Sequence, residues 1–176
     1  MKTKITITEG LSELRLIDKK IASKQKAVVG LVTRVSLLAD PIKTEGGSEV
    51  YISRELQAIG DLFDRKTNIR RAIRKANEKT VLKVNDSEMS VADWLVWRRE
   101  VAETEQYLYN QIRKQVQLSE VTFVQNQQRQ TELKQADLIV NVDIKSVFDN
   151  LADIEETMER LDGKLSLINA TTFIEF

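Results

Sequence analysis

Cysteine and histidine are both absent from the 176 residues, proline occurs once and glycine six times. Without cysteine there is no disulfide framework and no thiol nucleophile. With histidine missing as well, the common catalytic triads and most zinc sites are excluded. So few chain breakers beside 31% charged residues favour long solvated helices over a sandwich of short strands. No apolar run approaches the roughly 18–20 residues of a membrane span. The opening Met1-Lys2-Thr3-Lys4-Ile5-Thr6-Ile7-Thr8 lacks the apolar core of a signal peptide, so the chain is read as intracellular. Neither common glycine-rich phosphate loop is present. Lys plus Arg and Asp plus Glu number 27 each, which gives no global pull toward nucleic acid or anionic lipid. The carboxylates fall at helix-surface spacing, where they read as a solvated face. The expectation is a non-enzymatic protein with no cofactor and no metal site.

What is present is periodic. Residues 2–8 alternate, with Ile5 and Ile7 on one side, and predict a strand. Thr8 then caps a first helix over about 9–37, striped by Leu14, Ile17, Ile21, Val28 and Leu31. Its valine-rich end suits a strand as well. Asp40-Pro41 and Gly46-Gly47-Ser48 make 38–50 a loop. Ser53 and Glu55 open a second helix to Asn77, with Leu56, Ile59, Leu62, Phe63, Ile69, Ile73 and Ala76 as its stripe. A hairpin over 80–89 turns at Asn85-Asp86-Ser87. Ser90-Val91-Ala92-Asp93 is a capping-box-like start to a third helix, 90–136, with Trp94, Val101, Leu108, Ile112 and Val116 on its buried side. A fourth helix spans 143–169, and a terminal strand covers 171–176. The fold class is mainly α: long antiparallel helices, as a bundle or coiled-coil hairpin, with a small β-hairpin and short terminal strands. Residues 1–176 read as a single elongated domain.

The strongest signal lies in the fourth helix. Ile144, Val147, Leu151, Ile154, Met158, Leu161, Leu165 and Ile168 are separated by alternating steps of three and four, a heptad seam. An isolated helix of this length is marginal in water, so the seam needs partners, from this chain or from another copy. Residues 61–79 carry Arg65, Lys66, Arg70, Arg71, Arg74, Lys75 and Lys79 against three acids. Residues 143–164 carry seven acids against Lys145, Arg160 and Lys164. The complementarity predicts that the second and fourth helices are neighbours. The basic segment also reads as a solvated face, an ionic contact with a protein partner, or a nucleic-acid contact; interrupting acids and missing aromatics disfavour the last. The two end strands, the last with Phe173, Ile174 and Phe176, pair with each other, with 80–84, or with a neighbouring subunit. Trp94 and Trp97 beside Arg98 and Arg99 are a core anchor with its rim or an interface hot spot. Asn85-Asp86-Ser87 and Asn169-Ala170-Thr171 match the glycosylation acceptor pattern, and without a secretory signal they read as incidental.

Three segments carry a resemblance. The opening Lys4-Ile5-Thr6-Ile7-Thr8-Glu9-Gly10-Leu11-Ser12-Glu13-Leu14-Arg15-Leu16-Ile17-Asp18-Lys19-Lys20-Ile21, the stretch Asn77 to Arg98 with Thr80-Val81, Asn85-Asp86 and Ser90-Val91-Ala92-Asp93, and the ending Ile168-Asn169-Ala170-Thr171-Thr172-Phe173-Ile174-Glu175-Phe176 together resemble an uncharacterised family of small helical phage and prophage proteins. More distantly, the hairpin and tail are similar to a bacterial helical family labelled septicolysin, whose tail has Trp where this chain has Ala170. The resemblance covers about a third of the chain. It brings no catalytic residue. What it implies is a structural or assembly protein of a tailed bacteriophage: a capsid-, connector- or tail-associated subunit of the virion, made in the host cytoplasm. Its partners would be copies of itself or other virion proteins. A cytoplasmic helical adaptor or regulator is the alternative.

Overall fold

A computed structural model describes residues 3–129 and 138–176. The fold is mainly helical with two small antiparallel strand pairs, as the sequence predicts. Where the sequence reads as one domain, the contacts fall into two compact units, Met1–Lys79 with Ser166–Phe176, and Thr80–Leu165.

In the first unit, strand β1 (Lys4–Thr6) runs directly into helix α1 (Ile7–Leu31). The cap is Thr6 and not Thr8. Its hydroxyl accepts from the Glu9 N–H while the Glu9 carboxylate accepts from the Thr6 N–H. That reciprocal box needs an acid three residues on, which Thr6 has and Thr8 lacks. α1 stops at Leu31, six residues short of the predicted end. Beyond it Val32, Thr33 and Val35 lose rotamer freedom in a helix and bury nothing to offset it. A turn with a short 3-10 segment, Lys43–Glu45, leads to helix α2 (Ser48–Lys79). Glu13 meets Arg65, Asp18 meets Lys66 and Lys24 meets Glu55, so α1 and α2 are antiparallel. The ionic partner of the basic helix is thus α1, where the fourth helix was expected.

Ile7, Leu14, Ile17, Ile21, Ile59, Ile69 and Ile174 form the core of this unit, with Leu62, Ile73 and Ala76 packed on it; Leu56 and Phe63, also assigned to the stripe, are exposed. The terminal strand β4 (Phe173–Glu175) pairs antiparallel with β1, Ile5 opposite Ile174 and Lys4 opposite Glu175. Of the three pairings open to the end strands, the structure takes the one between themselves. It is possible because Gly10 lets β4 lie close to α1. A Cβ built there would sit 3.0 Å from Ile174 Cδ1, 3.5 Å from Ile69 Cγ2 and 3.6 Å from Ile73 Cδ1. Gly10→Ala is expected to be close to neutral, because about 1 kcal/mol of helix propensity offsets a contact with the far end of a flexible side chain. Gly10→Val is expected to cost about 1–3 kcal/mol by overpacking. It should also raise amide exchange at Ile5 and Ile174 selectively, as read by thermal melts and hydrogen exchange.

In the second unit, β2 (Val81–Val84) and β3 (Ser87–Ser90) form the predicted hairpin about Asn85, whose φ is 51°. The left-handed region tolerates asparagine there. Ser90 caps helix α3 (Val91–Val96), accepting the Asp93 N–H. The helix continues through a π-helical segment, Trp97–Ala102, into α4 (Glu103–Arg129); the predicted stretch to 136 lies partly outside the described residues. After residue 138 an extended connector leads to α5 (Ile144–Thr171). Arg98 pairs with Asp162, Gln106 with Glu155 and Tyr109 with Asn150. The partner numbers fall as the first set rises, so α4 and α5 are antiparallel.

The π segment displaces the buried face by one residue. An unbroken α-helix returns Val101 and Leu108 to the face of Trp94. In the structure Ala102 is buried in place of Val101, while Val101 and Leu108 are exposed; Ile112 and Val116 remain half-buried.

Candidate functional site

The heptad seam is consumed inside the chain. Val147, Leu151, Ile154, Leu161 and Leu165 are buried, and Ile144, Met158 and Ile168 half-buried. The hairpin closes on one side of α5: Asn85 donates to Thr157 and accepts from Arg160, and Lys164 donates to the Lys83 carbonyl. Five of the eight seam residues are therefore buried by this chain's own elements. Trp94 is buried and its indole N–H donates to the Leu82 carbonyl at 2.8 Å. Trp97 is half-buried and meets it edge-on, centroids 5.4 Å apart. These two are an anchor and its rim. Of the terminal aromatics, Phe176 is half-buried under the Arg65 guanidinium, while Phe173 is exposed with Lys4 Nζ 5.3 Å from its ring. Ile174 is core.

Among the described residues, exposed apolar side chains gather in three places. One is the turn between α1 and α2, where Val29, Val32, Val35, Leu37, Leu38 and Val50 are exposed, Leu37 to 92%. Val32 and Val50 line one open pocket there with Leu31 and Ile52. Another runs from the π segment along α4, where Val101, Leu108, Leu118 and Val121 are exposed, and a third is the connector before α5, with Ile139, Val140 and Val142. The first set was legible as a run of apolar residues in a segment of mixed propensity. Of the second, Val101 and Leu108 were hidden by the π segment.

The α1–α2 turn has a defined anchor. The Asp40 carboxylate accepts the Ser48 N–H at 2.8 Å, the Ser48 hydroxyl at 2.7 Å and the Ile42 N–H at 3.1 Å, with Arg34 at 3.9 Å. The Ser48 N–H, then its hydroxyl, hold this carboxyl below the ordinary aspartate range, and Arg34 adds to the effect. Glu9 is likewise lowered, first by the Thr6 N–H and then by its hydroxyl. Both shifts are those of caps, and neither acid sits in a catalytic setting. A depressed folded pKa means that the contribution is present above the unfolded value, about 3.9 for aspartate, and is lost as pH falls through the lower folded value. Hydrogen exchange at Ile42 and Ser48 is therefore expected to accelerate below about pH 4, beyond the intrinsic trend, and to lose that step in Asp40→Asn. No acceleration would remove the anchor.

Among the described residues no group of acids could hold a metal ion, and no helix is long and apolar enough to cross a membrane. No family model, curated protein or solved structure matches the chain.

Proposed function

We propose that this protein is a non-enzymatic structural or assembly subunit of a tailed bacteriophage, associated with capsid, connector or tail, that works by binding copies of itself or other virion proteins. The observation that carries the assembly role is the apolar turn between α1 and α2. Six large aliphatic side chains stand exposed around a turn that is itself pinned by Asp40. Concentrated exposed apolar surface on an ordered framework marks a binding surface, because leaving it wet has a free-energy cost and contact with a partner removes that cost. The phage context comes from the resemblance of the opening, the hairpin-to-helix stretch and the ending. The open edges of the β1–β4 pair add a second means of contact, since a two-stranded sheet leaves backbone groups available to a further strand. A virion location follows from the same reading.

Two measurements test it. Light scattering on the isolated chain is expected to give a mass above that of one 20.2 kDa chain, and mass spectrometry of purified particles is expected to find its peptides at structural stoichiometry. A chain that is monomeric at high concentration and missing from particles overturns the proposal in favour of an adaptor role.

A further inference from the structure

The two units carry opposite charge on outward helix faces. In the first, Arg70, Arg71, Arg74, Lys75 and Lys79 are exposed on α2, spread over the half of the helix opposite the buried Ile69, with Lys75 and Lys79 at its edge beside Phe173, Ile174 and Glu175 of β4. Among the described residues their one ion pair is Arg74 with Glu78, within the same helix. In the second, Asp149, Asp153, Glu156 and Glu159 are exposed on α5, on the side away from Leu151, Ile154 and Leu161. Among the described residues their one ion pair is Glu156 with Arg160, again within the helix. By contrast, Arg65 and Lys66 one or two turns earlier on α2, and Asp162 later on α5, are all matched across elements. The charges inside each unit are thus paired where packing brings them together, and two stripes of opposite sign are left over.

The stripes match in length as well as in sign. Arg70 to Lys79 and Asp149 to Glu159 each rise about 14–15 Å along a straight helix. Counting Glu78 and Arg160, they carry net charges of +4 and −3.

We infer that the basic stripe of α2 in one copy docks against the acidic stripe of α5 in a second copy. The inference rests on the assembly reading and names its partner, a second copy of this chain. Because the two stripes are different surfaces, the contact is heterologous. Each added copy presents a free stripe of each sign, so the association extends into a ring or a filament and does not stop at a two-fold dimer. Exposed ion pairs are individually weak and are screened over a Debye length of about 8 Å at physiological ionic strength. The contact is therefore a salt-sensitive one, made of several pairs acting together.

The test uses the full chain and two charge-reversed variants, Arg71→Glu/Lys75→Glu and Asp149→Lys/Asp153→Lys, at exposed positions where the melting curve is expected to stay unchanged. In light scattering at low salt each variant alone is expected to show a lower mass than wild type, and 1 M NaCl is expected to lower the wild-type mass in the same way. Mixing the variants in equal amounts sets the intact basic stripe of one, at +4, against the intact acidic stripe of the other, at −3, and the mass is expected to rise again to that of a pair. That recovery cannot come from a contact within one chain. Variants with wild-type mass, or a mixture that does not recover, overturn the inference. So does a basic stripe whose reversal abolishes binding to a labelled single-stranded oligonucleotide while the mass stays at the wild-type value. A wild type that assembles but ignores salt and both reversals leaves the assembly reading standing and removes this one; a wild type monomeric at low salt also removes this one, and removes the assembly reading only when the protein is missing from particles as well.

Discussion

Replacing Leu161 by aspartate is expected to unfold the Thr80–Leu165 unit. Leu161 is 0% exposed, in the middle of the α5 seam. Truncating such a leucine to alanine costs about 2–5 kcal/mol from lost transfer energy and the cavity left behind. Aspartate adds the desolvation of a carboxyl at a fully buried position, which drives it toward protonation. A domain's stability is about 5–15 kcal/mol in total, so the combined loss is a large fraction of it. The readout is specific. Trp94 and Trp97 are the two tryptophans of the chain, and both lie in this unit. The expected result is a red-shifted tryptophan emission and loss of the near-ultraviolet signal. Leu167→Asp, six residues on in the same helix and 65% exposed, should stay within about 0.5 kcal/mol of wild type. If Leu161→Asp kept a native spectrum and melting curve, the seam would not be the core of this unit.

The seam was readable in the sequence because its period is local: each step of three or four residues returns to one helix face whatever lies opposite. The hairpin and its Ser90 cap were readable for the same reason, as were the capping partners Thr6 and Glu9, although the choice of Thr8 passed over them. Features that depend on distant residues were not. Ser48 starts α2 because Asp40, eight residues earlier, accepts both its N–H and its hydroxyl, and no spacing rule within the helix announces that. The π segment at Trp97–Ala102 has no residue signature here, yet it shifts the buried register and leaves Val101 and Leu108 on the surface. The charge pattern was read in the right sign, and its ion pairs across elements go to α1. Arg65 and Lys66 face α1, while the residues beyond them remain open. Composition marks the helices as charged, and only packing decides which charges are left for a partner. The exposed aliphatic turn shows the same limit, since Val29 to Leu38 read equally well as a helix end or a strand until the helix was seen to stop at Leu31.

Trp94 separates packing from hydrogen bonding in the hairpin's attachment. It is 2% exposed, its indole N–H donates to the Leu82 carbonyl at 2.8 Å, and its ring meets Trp97 edge-on at 86°. Trp94→Ala removes the whole side chain beside the start of the π segment and is expected to cost about 3–5 kcal/mol. Trp94→Phe keeps most of the apolar body and much of the edge contact, itself worth about 0.5–1.5 kcal/mol, but leaves the Leu82 carbonyl without its donor. That loss is expected to cost about 1–3 kcal/mol. Denaturant melts followed by circular dichroism give both values, and amide exchange in β2 and β3 locates the damage. Selective loss of protection at Leu82 and Val84 in the phenylalanine variant would show that one indole hydrogen bond fixes the hairpin on the helix. Equal costs for the two variants would assign the whole effect to that bond. A phenylalanine variant as stable as wild type would show instead that the hairpin is held by the burial of Leu82, Val84 and Val91, with the Leu82 carbonyl satisfied equally well without the indole.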